Sequence, residues 1–487
     1  MAVGQLILTV DVGTSALKAV VYDRAGRVMA SSTQRYGYQT PEAGWAEADP
    51  ESWWQALEGA LDELRALPLA LQQVQVVALT GQMHTAVLLD AHGAIVPPAI
   101  LWLDRRATAE TAELQARLDL PPYQLNSTYT LPKLYWLTRH EPGLFDRVAH
   151  ILWPKDYLRY RLTGEYLTDY TEAGCAALLD WDTLNWAGAR LEMVGLDPAL
   201  LPPLRWPHEE AGSLLPQVAT RFGLSEDVRI IMGAGDVLAL ITGAPPMRGQ
   251  VTYSLGSSSM VFTPLPPGHT VADSENRLYV YPLLPYALLG GVSSTTGAAL
   301  QWAWQALYEG QAGFEEAVAQ GLQTPAGAEG LLFLPFLSGE RSPFWNDGLA
   351  GSFYGLTLAH RRPQFMRAVL EGVAFSLRYL LDIFADLGAA PETIALAGGG
   401  AGVAGWPQIF ADVCRLPVRI YAGQETVTRG LYAYACQALG DDFTAALAAT
   451  FKAPITLTPK LPDAGYASQY RRYRLLAEFA NAHLTRK

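Results

Sequence analysis

Cysteine is scarce in this chain: three residues in 487, Cys175, Cys414 and Cys436. An odd count without paired spacing excludes a disulfide framework and argues against a zinc site. The eight histidines show no H-x-x-x-H spacing. Positive charge is short as well: Lys plus Arg total 35 against 47 Asp plus Glu, a net charge of −12. Such a chain has no electrostatic footprint for nucleic acid. Any polyanionic nucleotide must then be held by local groups: Gly-rich turns, helix N-termini and a divalent cation. No apolar run approaches the ~20 residues that cross a bilayer, so no membrane partner is expected. Met1-Ala2-Val3-Gly4-Gln5 runs straight into a strand pattern and lacks the basic and long apolar regions of a secretory signal, which makes a cytoplasmic location the expectation. Also absent are the G-x-x-x-x-G-K-[ST] phosphate loop and the H-R-D and D-F-G elements of protein kinases.

What is present is a compact globular composition, half hydrophobic and 17% charged. At this length two cores are expected rather than one. Leu6 to Val12 reads as a buried strand, with further strands over Leu17 to Tyr22, Arg27 to Ser31 and Val74 to Leu79. Asp49-Pro50 reads as N-cap and first helical residue, followed by Trp53, Leu57, Leu61 and Leu64 at helical spacing. A helix is expected from about Pro154 to Leu162, loop over 200 to 220, and a strand over Val228 to Met232. Pro245, Pro246 and Gly249 mark a break. Beyond it, residues 251–262 echo residues 8–19: strand, small hydroxyl-rich turn, strand. The echo suggests two similar halves, although one repeat of this length is also what chance produces. Ile394 to Ala397 then enters Gly398-Gly399-Gly400, and a helix follows from Trp406.

The chemistry-bearing residues cluster where strands end. In Asp11-Val12-Gly13-Thr14-Ser15, the glycine admits a phosphate close to the backbone, hydroxyls and N–H groups donate to it, and Asp11 is placed to hold a metal ion. Taken alone, this motif is more often an ordinary turn. Gly256-Ser257-Ser258 offers the same donors, and two such turns gripping a phosphate chain favour phosphoryl transfer. Gly399 and Gly400 would leave room for a nucleoside face. Asp236, after Gly233-Ala234-Gly235, is a carboxylate in a crevice-like setting that could take the proton of a substrate hydroxyl. It would equally suit a turn. Gln82, Met83 and His84 follow a buried strand and could hydrogen-bond and pack against a polyol. Trp102, with Asp104, Arg105 and Arg106, reads either as an aromatic wall with charged donors or as a salt-bridged loop.

In this order the pieces resemble the FGGY carbohydrate kinases nearly end to end. Gly351-Ser352-Phe353-Tyr354-Gly355-Leu356 followed by Gln364-Phe365-Met366-Arg367-Ala368-Val369-Leu370-Glu371 fits that family's C-terminal signature. Pro335 to Arg341 looks like its P-x-x-x-G-E-R block. Pro132-Lys133-Leu134-Tyr135-Trp136-Leu137 matches most of the N-terminal signature, with Thr128 departing from the usual residue types. The resemblance implies an α/β fold of two actin-like ATPase (ribonuclease H-like) lobes with an interlobe cleft. Residues 1–245 would form the sugar-binding lobe with the first phosphate turn, and 246–487 the nucleotide-binding lobe. It implies Asp236 as catalytic base and substrate contact, and Asp11 and Asp236 near Mg2+, directly or through water. Gly13, Thr14, Ser15, Gly256, Ser257, Ser258, Gly399 and Gly400 would hold ATP, with Gly297 lining the same pocket. Gln82, Met83, His84 and Trp102 would contact the sugar.

Gly81-Gln82-Met83-His84 and Trp153 to Leu158 look most like xylulokinases, which favours a xylulose-like ketose. Val237 departs from that pattern, since those enzymes usually carry Asn after the catalytic Asp. A gluconate, other sugar-acid or polyol kinase therefore stays open, with Arg105 or Arg106 as a carboxylate partner. So does a catalytically silent sugar-binding regulator. An actin- or chaperone-like ATPase acting on protein is disfavoured by the intact sugar segment. The implied partners are a small-molecule sugar, ATP and Mg2+. No nucleic acid or membrane is expected, and a homodimer is left open.

Overall fold

The computed structural model describes residues 5–96, 99–120, 125–243, 249–265, 271, 273–283, 286–420, 426–451, 453–462 and 464–484. The expected start before Gln5 and the break at Pro245–Pro246 lie outside the described residues. Among the described residues, no helix is long and apolar enough to cross a membrane. The chain divides into two units, Met1–Pro245 with Glu425–Phe451, and Pro246–Gln424 with Lys452–Lys487.

The first unit is built on a six-stranded sheet in the order Glu210–Ser213, Arg229–Gly235, Val74–Gly81, Leu6–Val12, Ala16–Asp23, Val28–Arg35. Leu6–Val12 runs parallel to Val74–Gly81, which runs parallel to Arg229–Gly235, while the next two strands return antiparallel. The first strand is apolar on both faces because both are covered. Leu6, Leu8, Val10 and Val12 join one core with Trp53, Leu57, Leu61 and Leu64 of helix Pro50–Ala66, and Ile7 faces a second core on the other side. Asp49 caps that helix, its carboxylate accepting from the Glu51 N–H at 3.0 Å. The four large apolar residues of the helix are buried, each contributing about 1.5–3 kcal/mol of transfer free energy. The expected loop over 200–220 contains a helix, Pro216–Phe222. Its Val218, Ala219 and Phe222 bury there, and Phe222 packs against Trp54 with ring centroids 5.8 Å apart.

The second expected domain, 246–487, differs from what is found. Glu425–Phe451 belongs to the first unit. The reason is apolar: Leu431, Tyr432, Ala435 and Cys436 of helix Thr426–Ala438 cover the Ile7, Val20, Tyr22, Val76, Ala78 and Ile231 face of the first sheet. Tyr22 and Thr428 share a 2.8 Å hydroxyl hydrogen bond there.

The second unit holds a seven-stranded sheet in the order Tyr279–Leu283, Tyr286–Ser293, Ser259–Leu265, Gln250–Leu255, Thr393–Ala397, Val418–Ile420, Ile455–Leu457. Gln250–Leu255 pairs antiparallel with Ser259–Leu265 and parallel with Thr393–Ala397. Leu6–Val12 has the same pairing in its own sheet, so the sequence echo corresponds to equivalent positions in two sheets of like topology. Its core is threaded by helix Arg362–Asp386, on which sixteen residues are buried. Most of the C-terminal signature lies on this helix. Arg367 pairs with Glu371 at 2.5 Å, and Tyr466 donates to the same carboxylate at 2.8 Å. A Cβ on Gly372 would come within 2.4 Å of the Phe333 carbonyl oxygen. That signature is a packing element.

Candidate active site

In the first unit the candidate residues meet because three neighbouring parallel strands end side by side. Val12 is in register with Gly81, and Gly81 with Gly235. The carboxyl ends of parallel strands are where α/β sheets leave room for ligands, since the chain must turn away there. Asp11, Gln82-Met83-His84 and Asp236 therefore share one edge of one sheet. The Gln82 N–H donates to the Val12 carbonyl at 2.8 Å, which ties two of these ends together.

Close backbone approach demands glycine at this edge. A Cβ on Gly233 (φ 68°) would lie 1.7 Å from the Leu79 carbonyl oxygen, whereas one on Gly235 would meet only the flexible end of the Met83 side chain, 2.4 Å from its Cε. Met83 is accordingly buried against the Gly235 backbone rather than open to a ligand. The Gly235 N–H donates to the Thr171 hydroxyl at 3.1 Å, which fixes the residue just before Asp236.

Asp236 opens the short helix Asp236–Thr242 and accepts from the Val237 N–H at 2.7 Å. Burial first, and then the charge of Asp11, push its carboxyl up to about 7. Asp11 is half-buried and sits across from Lys18 in the hairpin register. The Tyr36 phenol is raised by burial and by the same Asp11 charge, and its hydroxyl donates to the Gly13 carbonyl at 2.6 Å. The turn is also tied to the predicted aromatic wall: the Trp102 indole N–H donates to the Thr14 hydroxyl at 2.9 Å. Ser15 is exposed.

Gln82 is 2% exposed, yet neither its amide nitrogen nor its amide oxygen has a protein partner. A buried amide left this way costs free energy that a bound polyol would recover. Arg106, raised above as a carboxylate reader, is otherwise engaged. It pairs with Asp104 and Glu47, each at 2.7 Å, and lies 3.6 Å over the Trp45 ring.

The same unit holds a buried ionic cluster, of which the sequence reading picked out only the stretch Trp153 to Leu158 and not the pairing. Lys155 pairs with Asp156 at 2.5 Å and Asp169 at 2.6 Å, and Arg159 pairs with Asp156 at 2.7 Å. Asp169 caps the short helix Tyr170–Cys175, which presents Thr171 to Gly235 and Glu172 to His84. Burial holds the Glu172 carboxyl well above its ordinary range. Nothing in the spacing of these residues singles them out; only the folded chain brings 155–159 and 168–172 together.

In the second unit the turn Gly256-Ser257-Ser258 closes the hairpin after Leu255, with Gly256 and Ser257 exposed. Gly297 packs directly on it: its N–H donates to the Gly256 carbonyl at 2.9 Å, and a Cβ would come within 2.5 Å of that oxygen. Thr296 bonds the Gly256 and Ser257 carbonyls at 3.0 and 3.2 Å and the Ser259 hydroxyl at 2.6 Å. Helix Gly297–Tyr308 thus begins at the turn, with its N–H groups there. Cβ atoms on Gly398 and Gly400 would strike Leu255, whereas Gly399 faces open space. The three glycine segments therefore gather around the end of one strand. Glu340, of the P-x-x-x-G-E-R block, supports them by accepting from the Ser294 and Arg341 N–H groups at 2.6 and 2.9 Å. Burial pushes its carboxyl up to about 7.

Among the described residues, no group of three or more His, Cys, Asp or Glu side chains forms a metal cage. Two carboxylates at the ends of the parallel strands on either side of Val74–Gly81, Asp11 and Asp236, suit a hydrated Mg2+ that takes its remaining ligands from phosphate and water.

The N-terminal domain of the FGGY family of carbohydrate kinases matches residues 6–243, and the C-terminal domain of that family matches residues 251–439. The chain is 35% identical over 413 residues to the xylulose kinase of Escherichia coli (strain K12), covering 84% of each. It is 26% identical over 444 residues to the gluconokinase of Bacillus subtilis (strain 168), covering 87% of this chain and 86% of that one. The structure of xylulose kinase from Rhodospirillum rubrum superposes with a TM-score of 0.85 at 29% identity, over 98% of this chain and 99% of that one.

Proposed function

Because the chain belongs to the FGGY family of carbohydrate kinases, we propose that it transfers the γ-phosphoryl group of ATP to a hydroxyl of a small ketose of the xylulose type. Asp236 acts as the base that takes the hydroxyl proton as oxygen attacks phosphorus. The observation that carries this reading is the placement of Asp236 and Asp11 at the ends of the parallel strands on either side of Val74–Gly81 in the first sheet, where burial and the Asp11 charge raise the Asp236 carboxyl to about 7. A base of that strength is about half ionised at neutral pH and still holds a proton well, which is the compromise general-base catalysis wants. The Gln82 amide, buried and without a protein partner, binds sugar hydroxyls, and Trp102 walls the same site.

Gly13, Thr14 and Ser15 in the first unit are the phosphate donors of that unit. Gly256, Ser257, Ser258 and Gly297 in the second hold the nucleotide phosphates with hydroxyls, N–H groups and a helix N-terminus. Gly399 leaves space for the nucleoside, and Gly400 seats the turn against Leu255. Asp11 and Asp236 would hold Mg2+, which neutralises phosphate charge when bound. Excluding water from the loaded site favours the sugar over water as acceptor.

The engagement of Arg106 by Asp104 and Glu47 favours a ketose over a sugar acid, leaving Arg105 as the carboxylate partner of the sugar-acid reading. ADP release measured across pentuloses, hexuloses, polyols and aldonic acids tests the reading. A pentulose with the highest kcat/KM supports it. A clear preference for gluconate transfers the assignment to a sugar-acid kinase, and ADP release indifferent to sugar removes it.

A further inference from the structure

Residue His84 has φ 65°, a left-handed backbone that few non-glycine residues adopt, Asn, Asp and His most often among them, and that its surroundings here hold in place. Those surroundings come from two distant parts of the chain. The His84 N–H donates to Glu172 Oε1 at 3.2 Å. The His84 carbonyl accepts from Lys133 Nζ at 3.1 Å, and the same ammonium donates to the Thr128 carbonyl at 2.8 Å. Both clamping side chains are fully buried, Lys133 at 1% and Glu172 at 0% exposure. Taking a lysine and a glutamate out of water is costly, and each is spent here on one peptide unit or its neighbour. Burial lowers the Lys133 ammonium well below its ordinary range, opposed in part by Asp104. The imidazole so placed lies 4.8 Å from the Tyr129 ring, tilted by 42°.

We infer that Lys133 and Glu172 are positioning residues that grip residue 84 from its N–H and its carbonyl and thereby aim the His84 imidazole at the sugar. The inference rests on the proposed sugar site, with His84 contacting the sugar beside Gln82 as the family resemblance implies. It assigns a task to the lysine of the N-terminal signature. It also explains why a buried glutamate stands under a substrate loop. Neither residue touches sugar or nucleotide in this account, so their effect passes through one side chain.

The test is a double-mutant comparison in steady-state kinetics, with the sugar and ATP varied separately. Lys133→Met keeps the length of the side chain and removes its donor. It should raise sugar KM about five- to a hundredfold, the range expected when a buried carbonyl loses its donor, and leave ATP KM unchanged. Glu172→Met should do the same, whereas Glu172→Gln, whose amide oxygen still accepts from His84, should stay within about threefold of wild type. His84→Gly tolerates the left-handed backbone and lacks the ring. Combined with Lys133→Met it should be no worse than His84→Gly alone. If the two losses multiply, or if Lys133→Met keeps wild-type sugar KM, the clamp is only structural and the inference is wrong. Should Lys133→Met not fold, the Glu172→Met and Glu172→Gln pair decides the same question. If His84→Gly itself leaves sugar kinetics untouched, the sugar-contact reading fails and takes the inference with it. If His84→Gly is impaired while the clamp variants are not, the inference alone falls.

Discussion

Replacing Asp236 by Asn should cost activity and add stability, and the second effect depends on pH in a defined direction. The Asp236 carboxyl is raised from 3.8 to about 7 by burial and by Asp11. The folded chain therefore binds this proton more tightly than the unfolded chain does, and ionising it favours unfolding. Below pH 4 the group is protonated in both states and costs nothing. Between pH 4 and 7 the cost grows, and above 7 it is fully present. At about 1.4 kcal/mol per pH unit, the gap from 3.8 to about 7 bounds it at about 4.5 kcal/mol. Asn keeps the oxygen that accepts from the Val237 N–H and removes the charge. Urea unfolding of wild type and Asp236→Asn should coincide at pH 4 and separate at pH 8, with the variant more stable by up to that amount. Turnover should fall about 10²–10⁴-fold, the usual contribution of a general base. Coincident unfolding at pH 8 would refute the raised carboxyl. Turnover within tenfold of wild type would refute the base.

Asp11→Asn removes the neighbouring charge that raises Asp236, so the acid limb of kcat/KM, near pH 7 in the wild type, should move to lower pH even as the maximal rate drops; a limb that stays in place contradicts the coupling. Gln82→Leu removes a buried amide without protein partners. It should raise sugar KM at least tenfold while stabilising the fold by about 1–2 kcal/mol in denaturant, since an unsatisfied polar group is gone. Gly297→Ala would push a methyl to 2.5 Å from the Gly256 carbonyl. It should raise ATP KM by roughly tenfold or more with sugar KM little changed, because a small displacement of a phosphate turn is expensive.

Much of the fold was legible because its strands are buried on both faces and bounded by glycine. Leu6–Val12 lies where its apolar run ends, and the Asp49-Pro50 start of the first long helix follows from capping chemistry alone. The echo of residues 8–19 in 251–262 was readable as a repeat, but its meaning came only from the matching strand partners. The expected bounds 246–487 take in Glu425–Phe451, which groups with the first unit, because the apolar face of helix Thr426–Ala438 does not say which sheet it covers. In the site, Asp236 and Asp11 stood out as acids at strand ends. Trp102 was singled out, though not its bond to Thr14, which spans 88 positions. Glu172 and Asp169 left no local trace, since a single buried charge looks like a surface one until its partner is known. Arg106 shows the reverse: its position suggested a ligand contact, but Asp104, Glu47 and Trp45 already hold it.

The central claim is that a carboxylate in the first sheet draws a proton from a sugar hydroxyl while ATP gives up its terminal phosphoryl group. Phosphorus NMR of wild type with ATP, Mg2+ and the best acceptor sugar reads this directly. The account predicts one sugar phosphate formed for each ADP, and no such signal with Asp236→Asn. ADP appearing with free inorganic phosphate at the same rate whether or not sugar is present would contradict it.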